Sequence, residues 1–201
     1  MLIAAPYYTN QIEIIRNIAK SLPIGYKLYV KENPAQSIRY WRSISEYKQI
    51  LEIPNVRLFH PSVPAEILFE KCSLVLTIGG SSGLDAAFYE KPSIVFSDLG
   101  YSILPSVQTL NSLNDLPKII RKSLQVKVNN NDLEKYMTIL EKNSIKFNLV
   151  DFENRYNDFF YYSGFLASVD ISESKMNEFL KSTESLLEEL ISEYLLRIEK
   201  S

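Results

Sequence analysis

Over residues 1–125 the chain alternates between short runs of β-branched and aromatic residues and longer segments in which apolar side chains return every three to four positions. The first kind suits extended strands and the second amphipathic helices, and their alternation is the pattern of βαβ units around a parallel sheet. Residues 2–5 read as a short first strand. Asn10 and Glu13 form a capping-box pattern, after which Ile12, Ile15, Ile18, Ala19 and Leu22 keep helical spacing until Pro23 and Gly25 end the helix. The pattern then predicts a strand over 26–31, a helix over 40–51 with Tyr40, Trp41, Ile44, Tyr47 and Leu51 on one face, a strand over 56–59 and a short helix over 64–71. Residues 74–78, apolar except for Thr77, have the composition of a strand buried on both faces. Gly79-Gly80-Ser81-Ser82-Gly83 leads from it into a helix from about Ser82 to Glu90. A strand over 93–96 follows, and Asn114 is placed to cap a helix carrying Leu116, Ile119, Ile120 and Leu124.

Beyond residue 125 the period changes to helices only. Asn129, Asn130 and Asn131 read as a linker, followed by a helix over 132–144, an aromatic-rich stretch over 147–165 and a last helix with Asp170 and Glu173 as its capping box. In that last helix Met176, Phe179, Leu180, Leu187, Leu190, Ile191, Tyr194 and Ile198 hold the 3.6 period. At about 28 residues it is roughly 42 Å long at 1.5 Å per residue, too long for a small sheet to cover, so part of its stripe is expected to meet a partner or another domain. The expected division is an α/β unit over 1–125 and a helical extension over 126–201.

Composition narrows the chemistry. Of 201 residues, 46% are hydrophobic, enough for a sizeable core, and 24 acidic against 22 basic side chains leave a net charge of −2, which argues against a nucleic-acid partner. Cys72 is the single cysteine and His60 the single histidine, which excludes an intramolecular disulfide and leaves too few ligands for a zinc site. No uncharged apolar run reaches membrane-spanning length and the start lacks a signal-peptide pattern, so the expected location is cytoplasmic, with peripheral attachment at the inner face of the membrane as a variant. Residues 1–125 carry 13 basic and 10 acidic side chains, whereas 170–201 carry 4 and 8, making the front mildly basic and the tail acidic.

The strongest local signal is the strand–glycine turn–helix at 74–87. Gly79, Gly80 and Gly83 permit close backbone approach, the hydroxyls of Ser81 and Ser82 can donate to phosphate oxygens, and free N–H groups at a helix start suit an anion. The turn is neither a Walker loop nor a full dinucleotide fingerprint. Two readings stay open: a phosphate cradle, or a tight turn whose Ser81 or Ser82 caps the helix. Lys31-Glu32-Asn33-Pro34 follows a strand whose carboxyl end is where α/β sheets bind ligands. There Asn33 can read a base or ribose and Lys31 or Glu32 a polar ligand, or Asn33 simply closes a solvated turn. His60 invites a general-base role but has no identifiable carboxylate partner and reads better as a loop residue. Cys72, Trp41 and the aromatics Phe159, Phe160, Tyr161 and Tyr162 read as packing or interface, and Glu188, Glu189 and Glu193 as a solvated helix face.

Taken together, Leu28-Tyr-Val-Lys-Glu-Asn-Pro, Pro54-Asn-Val-Arg-Leu, Thr77-Ile-Gly-Gly-Ser-Ser-Gly-Leu-Asp-Ala and Lys91-Pro-Ser-Ile-Val-Phe resemble, in order and spacing, the capsule polysaccharide biosynthesis family of GT-B glycosyltransferases. The likeness covers about residues 3–122 and is to the C-terminal, donor-binding, Rossmann-like half of such enzymes. It implies a Rossmann-like parallel sheet followed by an all-helical tail. It also implies a CMP-linked donor, with an acidic sugar such as Kdo or sialic acid, as in related bacterial sialyltransferases. Carried over residue by residue, Asn33 and Pro34 flank the nucleotide, Ser81 and Ser82 hold its phosphate, and Asp85 approaches the ribose, beside Lys31, Gly79, Gly80 and Gly83, which the residues themselves offer as nucleotide or phosphate contacts. Asn33 stands where the family usually has histidine and Asp85 where it has glutamate. Asparagine cannot become cationic, and aspartate is one methylene shorter.

The function so implied is that of the nucleotide-sugar donor half of a glycosyltransferase making surface polysaccharide, with no separate cofactor and with a saccharide or glycolipid acceptor. The N-terminal half, where a catalytic base is expected, is absent, so the chain reads as a fragment, a split-gene product or a degenerate copy, active only if complemented by such a half; no catalytic residue is assigned. A UDP-sugar epimerase of GT-B architecture is the alternative among enzymes. A non-catalytic interaction module is the alternative outside them, its last helix docking onto an N-terminal half or onto a second copy.

Overall fold

The computed structural model describes residues 5–33, 42–162, 165–166 and 170–199, and the chain forms two units, Met1–Thr138 and Ile139–Ser201. Of the expected first strand only Ala5 falls among the described residues, and Pro34, Tyr40 and Trp41 lie outside them.

In the first unit, α1 (Gln11–Ser21) starts on Asn10, whose side chain accepts the Glu13 N–H at 3.2 Å. Only this half of the expected box forms, since the Glu13 carboxylate takes Asn17 Nδ2 at 3.0 Å. Strands β1 (Leu28–Lys31) and β2 (Val56–Phe59) pair in parallel, Leu28 opposite Val56 and Lys31 opposite Phe59. The crossover that parallel pairing requires is α2 (Ile44–Leu51). Helix α3 (Ala65–Lys71) leads to β3 (Val75–Thr77), which pairs in parallel with β4 (Ser93–Val95), and β4 with β5 (Val107–Thr109). Helix α4 (Ser82–Phe88) joins β3 to β4, and a 3₁₀ turn, Gly100–Ile103, lies between β4 and β5. The unit is the expected parallel α/β arrangement, with its hydrogen bonds resolved into a two-stranded and a three-stranded ladder.

The pleat of β4 shows how the layers are built. Ile94 is fully buried in a cluster with Ile14 and Ile18 of α1, Phe96, Leu110, and Leu116 and Ile120 of α5 (Leu116–Ser123). Its neighbour Ser93 sends its hydroxyl to the Gly83 carbonyl of α4 at 2.9 Å. Alternate residues of a strand face opposite sides, so α1 and α5 cover one face of the ladder and α4 the other. Ile12, Ile15 and Ala19 of α1 pack with Ile50 and Val56, so α1 lies over both ladders, and Leu28 of β1 reaches the Ile94 cluster as well.

Several expectations are corrected here. Strand β3 is half-buried rather than buried on both faces, because it is the edge of its ladder; the central strand β4 is buried throughout. Helix α2 begins after Ser43, which forms a complete capping box with Glu46, and its inward residue is Ile50, while Ile44 and Leu51 are exposed. The surface offered by α1 and β2 selects that residue, not the widest apolar arc. Asn114 lies inside a 3₁₀ turn, Leu113–Asp115, that Ser112 caps, and Asp115 precedes α5. The asparagine run is no linker: α6 (Asn130–Asn143) begins within it, and Asn129 Oδ1 accepts the Asn131 N–H at 3.0 Å. Asparagine is as suited to helix starts as to loops. The three-residue β5 is too short for periodicity to reveal.

The second unit is built on Phe179. Its ring meets those of Phe152, Tyr156, Phe159 and Phe160 of α7 (Leu149–Phe160), the closest centroid at 4.9 Å from Phe160. A two-residue antiparallel pair, β6 (Tyr161–Tyr162) with β7 (Phe165–Leu166), interrupts the otherwise helical tail. Helix α8 (Glu173–Ile198) is 26 residues long and starts on Ser172, which accepts the Lys175 N–H, so Ser172 and not Asp170 is the cap. It buries Phe179, Thr183 and Leu186, whereas Met176, Leu180, Ile191, Tyr194 and Ile198 of the expected stripe are exposed. Glu188 and Glu189 are exposed and Glu193 half-buried. No helix among the described residues is long and apolar enough to cross a membrane.

Candidate functional site

The carboxyl ends of parallel strands are where an α/β sheet exposes loops to a ligand, and the candidate residues fall there. At the end of β3 the Ile78 carbonyl accepts from the Phe96 N–H at 3.2 Å and from Ser97 Oγ at 3.1 Å, which ties the last residue before the glycines to the end of β4. The chain then turns at Gly79 and Gly80, both exposed. Thr77 Oγ1 accepts the Gly80 N–H at 3.2 Å, and a Cβ on Gly80 would sit 3.0 Å from that oxygen. A larger residue there would press the Thr77 hydroxyl aside by a few tenths of an ångström and loosen this bond.

Ser81 precedes α4 in helical conformation, and its side chain makes no cap. Its hydroxyl donates instead to Asp85 Oδ2 at 3.2 Å. Its carbonyl accepts the N–H groups of Leu84 and Asp85 at 2.8 and 2.9 Å, so the N–H groups of Ser81, Ser82 and Gly83 precede the first intrahelical bond. The capping alternative is thus removed for Ser81. Ser82 is half-buried in the first turn. Beyond Phe88 the helix closes with Lys91 N–H on the Ala86 carbonyl and Glu90 N–H on that of Ala87, Glu90 taking the left-handed conformation at φ 59°.

Tyr101 completes this turn. It is buried, its hydroxyl donates to the Gly80 carbonyl, and a Cβ on Gly83 would lie 2.7 Å from its Oη. Burial, and then the Asp85 carboxylate, push its phenol up to about 12. An unfolded tyrosine ionises near 10, so this term of stability is complete below pH 10 and is lost as pH rises toward 12. Urea denaturation between pH 9 and 12 should show a fall in stability in the wild type that is smaller in Tyr101→Phe. Equal slopes would disprove the linkage.

The loop after β1 forms its own cluster. Glu32, offered above as a ligand contact, is buried and accepts from Arg42 Nε, while Arg42 also lies 4.0 Å from Glu46. Its carboxylate is thus committed to structure. Lys31 Nζ reaches the Glu32 carbonyl at 3.4 Å, and Asn33 is exposed beside it; Pro34 lies outside the described residues. At the end of β2, His60 is exposed, with Nδ1 2.7 Å from Ser62 Oγ and 3.2 Å from the Ser62 nitrogen, consistent with a loop residue. Cys72 is half-buried and burial raises its thiol above the usual range, the opposite of what a nucleophile needs.

The structure thus joins Gly80, Ser81, Gly83 and Asp85 in one hydrogen-bonded and packed turn with Thr77 and Tyr101. A hollow of about 400 Å³ lined by Glu66, Phe69, Asp85, Phe88 and Tyr89, with Ala65, borders it at Asp85. Sequence reasoning passed over Thr77, Ser97, Tyr101 and Arg42. One signal pointed to a missing neighbour: a glycine inside a helix costs about 1 kcal/mol against alanine, so Gly83 implied a close approach, but nothing identified Tyr101 as what approaches.

Residues 8–105 match the family model described as capsule polysaccharide biosynthesis protein. No curated protein and no solved structure matches the chain. The matched stretch runs from before α1 through the Gly100–Ile103 turn, and so contains the β1 loop, the glycine turn and Tyr101. Through residues 8–105, then, this chain is similar to the capsule polysaccharide biosynthesis family.

Proposed function

We propose that the first unit binds the nucleotide-sugar donor of a glycosyltransferase in capsule or surface polysaccharide synthesis, a CMP-linked sugar, through the glycine turn. The family match supports the role in capsule synthesis. The observation that carries the finer reading is the turn itself: exposed glycines at the carboxyl end of a parallel strand, followed by backbone N–H groups without intrahelical acceptors and a serine hydroxyl not used as a cap. Such groups recognise phosphate oxygens without a cationic side chain. In this reading Gly79, Gly80, Ser81, Ser82 and Gly83 hold the phosphate, Lys31, Asn33 and Pro34 face the nucleoside, and Asp85 is placed toward the ribose. The acceptor is a saccharide or glycolipid, and the location is cytoplasmic, at the inner face of the membrane where such an acceptor is held.

Calorimetric titration with CMP, UDP and their sugars tests this. Binding of CMP species supports it, selective binding of UDP-sugars favours the epimerase alternative, and no binding by any of them overturns both. In a binding protein, Ser82→Ala is expected to remove a hydrogen bond to a charged group and weaken affinity by about 1.5–3 kcal/mol, roughly ten- to a hundredfold. Asn33→His, which installs the family's usual residue, should tighten it. Unchanged affinity in both variants would remove the site assignment.

A second reading rests on α8, which exposes Leu180, Ile191, Tyr194, Leu195 and Ile198. Here the helix docks the chain onto a separately encoded N-terminal GT-B half, or onto a second copy. Sedimentation of the purified chain separates the cases: self-association that rises with concentration supports the second copy, and a monomer that co-purifies with nothing removes this reading.

A further inference from the structure

In the first unit the strands are parallel, helices α1 to α4 each lead into the start of the next strand, and α5 runs back along β5, where Lys122 Nζ meets Gln108 Oε1 at 2.8 Å. The helix C-termini therefore gather at the amino end of the sheet. Helix dipoles favour acidic side chains in the first turn and basic ones in the last. These helices follow the rule, with Glu13, Glu46, Glu66 and Asp85 in first turns and Lys20, Lys48, Lys71, Arg121 and Lys122 in last turns. A local preference repeated on helices that point one way thus sorts charge to opposite ends of the unit, although the whole chain carries only −2.

Other residues at the basic end owe nothing to dipoles. The turn from α1 to β1, bent at Gly25 with φ 90°, carries Ile24 fully exposed at its tip, and Tyr26 and Lys27 are exposed beside it. Asn55 Nδ2 donates to the Ala19 carbonyl at 2.8 Å and the Leu28 N–H to the Asn55 carbonyl at 2.8 Å, which fixes the turn at the amino end of the sheet. Lys20, Lys27, Lys71 and Arg121 are exposed, and among the described residues no ion pair engages them. An apolar tip beside cations suits an anionic bilayer, where the tip enters the headgroup boundary and the cations meet lipid phosphates, two signals that together anchor what one alone does not. A fluid surface buries a protruding residue whatever its shape, whereas a protein partner would need a matching pocket.

We infer that the amino end of the first unit attaches to an anionic membrane surface, with Ile24 and Tyr26 inserted and Lys20, Lys27 and their basic neighbours on the headgroups. This deepens the membrane location proposed above, on which it rests, and does not depend on what the glycine turn binds. The acidic first turns are repelled by the same surface, so the carboxyl-end loops of the unit face solution.

The test mixes the full chain with vesicles of phosphatidylcholine and phosphatidylglycerol in equal parts, and with vesicles of phosphatidylcholine alone, and separates bound protein by flotation. Binding is expected on the anionic vesicles only and should weaken as salt is raised. Lys27→Ala should lower the affinity about fivefold and Lys20→Ala/Lys27→Ala roughly twenty-five-fold, while Ile24→Ser lowers it about tenfold at constant charge. All three positions are exposed, so folding is unaffected. Lys181→Ala, which removes the same charge from an exposed site on α8, should leave binding unchanged. No binding to the anionic vesicles overturns the inference, and so does an equal loss in Lys27→Ala and Lys181→Ala, since net charge and not this end would then be responsible. Binding to polyglutamate but not to vesicles also overturns it and points to an acidic protein surface. Binding to both vesicle types at equal strength removes the role of the cations and overturns it as well. The nucleotide titrations test the glycine turn separately and stand whichever result is found.

Discussion

Replacing Ile94 with alanine should destabilise the first unit by about 2–5 kcal/mol, a large share of the stability of a small domain. The residue has no exposed surface, sits in the central strand of the three-stranded ladder, and is enclosed by α1, α5, Phe96 and Leu110. Elements contributed from opposite ends of the unit close around it, so the cavity has little room to collapse. Ile44→Ala is the control: the same residue type, 76% exposed on α2, should change stability by no more than about 0.5 kcal/mol. Urea denaturation of the two variants decides, and a loss under about 1 kcal/mol at Ile94 would contradict the packing described here.

Arg42→Met is expected to cost about 3 kcal/mol. Its partner Glu32 keeps only 6% of its side chain exposed and Arg42 16%, so removing the guanidinium leaves a buried carboxylate without its cation, whereas removing both charges together is often close to neutral. The double variant Arg42→Met/Glu32→Gln should therefore recover most of the loss, giving a coupling energy of about 1–3 kcal/mol in a double-mutant cycle. Additive losses would mean that the two side chains act independently. The pair anchors the carboxyl end of β1, so the variant also reports on whether the Asn33 loop bears on ligand binding. CMP affinity measured beside stability separates the two effects.

The succession of strands and helices in the first unit, the parallel class of its sheet and the long last helix were legible in the chain itself. Those properties follow from side-chain periodicity and from punctuation by proline, glycine and capping residues, all of which act within a few positions of one another. The glycine turn was legible for the same reason, as was the family resemblance, since both are carried by residues contiguous in sequence. Which face of each helix is buried was not. Ile50 rather than Leu51 faces the core, and α8 turns Phe179, Thr183 and Leu186 inward while exposing Leu180 and Ile191, because the surface available for burial is set by other elements and several apolar arcs of one helix compete for it.

The site divides along the same line. Composition and order determined that a strand delivers Gly79 to Gly83 to a helix start, and that Glu32 and Asn33 follow another strand, which ends on Lys31. Only the tertiary structure decided that Glu32 is spent on Arg42, that the Ser81 hydroxyl bonds Asp85 instead of capping α4, and that Tyr101 reaches back over Gly83 to the Gly80 carbonyl. Two of these contacts join residues ten and twenty-one positions apart, beyond the reach of any periodic signal. The third was open locally, because a serine hydroxyl at a helix start can serve the backbone or a nearby carboxylate, and in the fold it meets the Asp85 carboxylate.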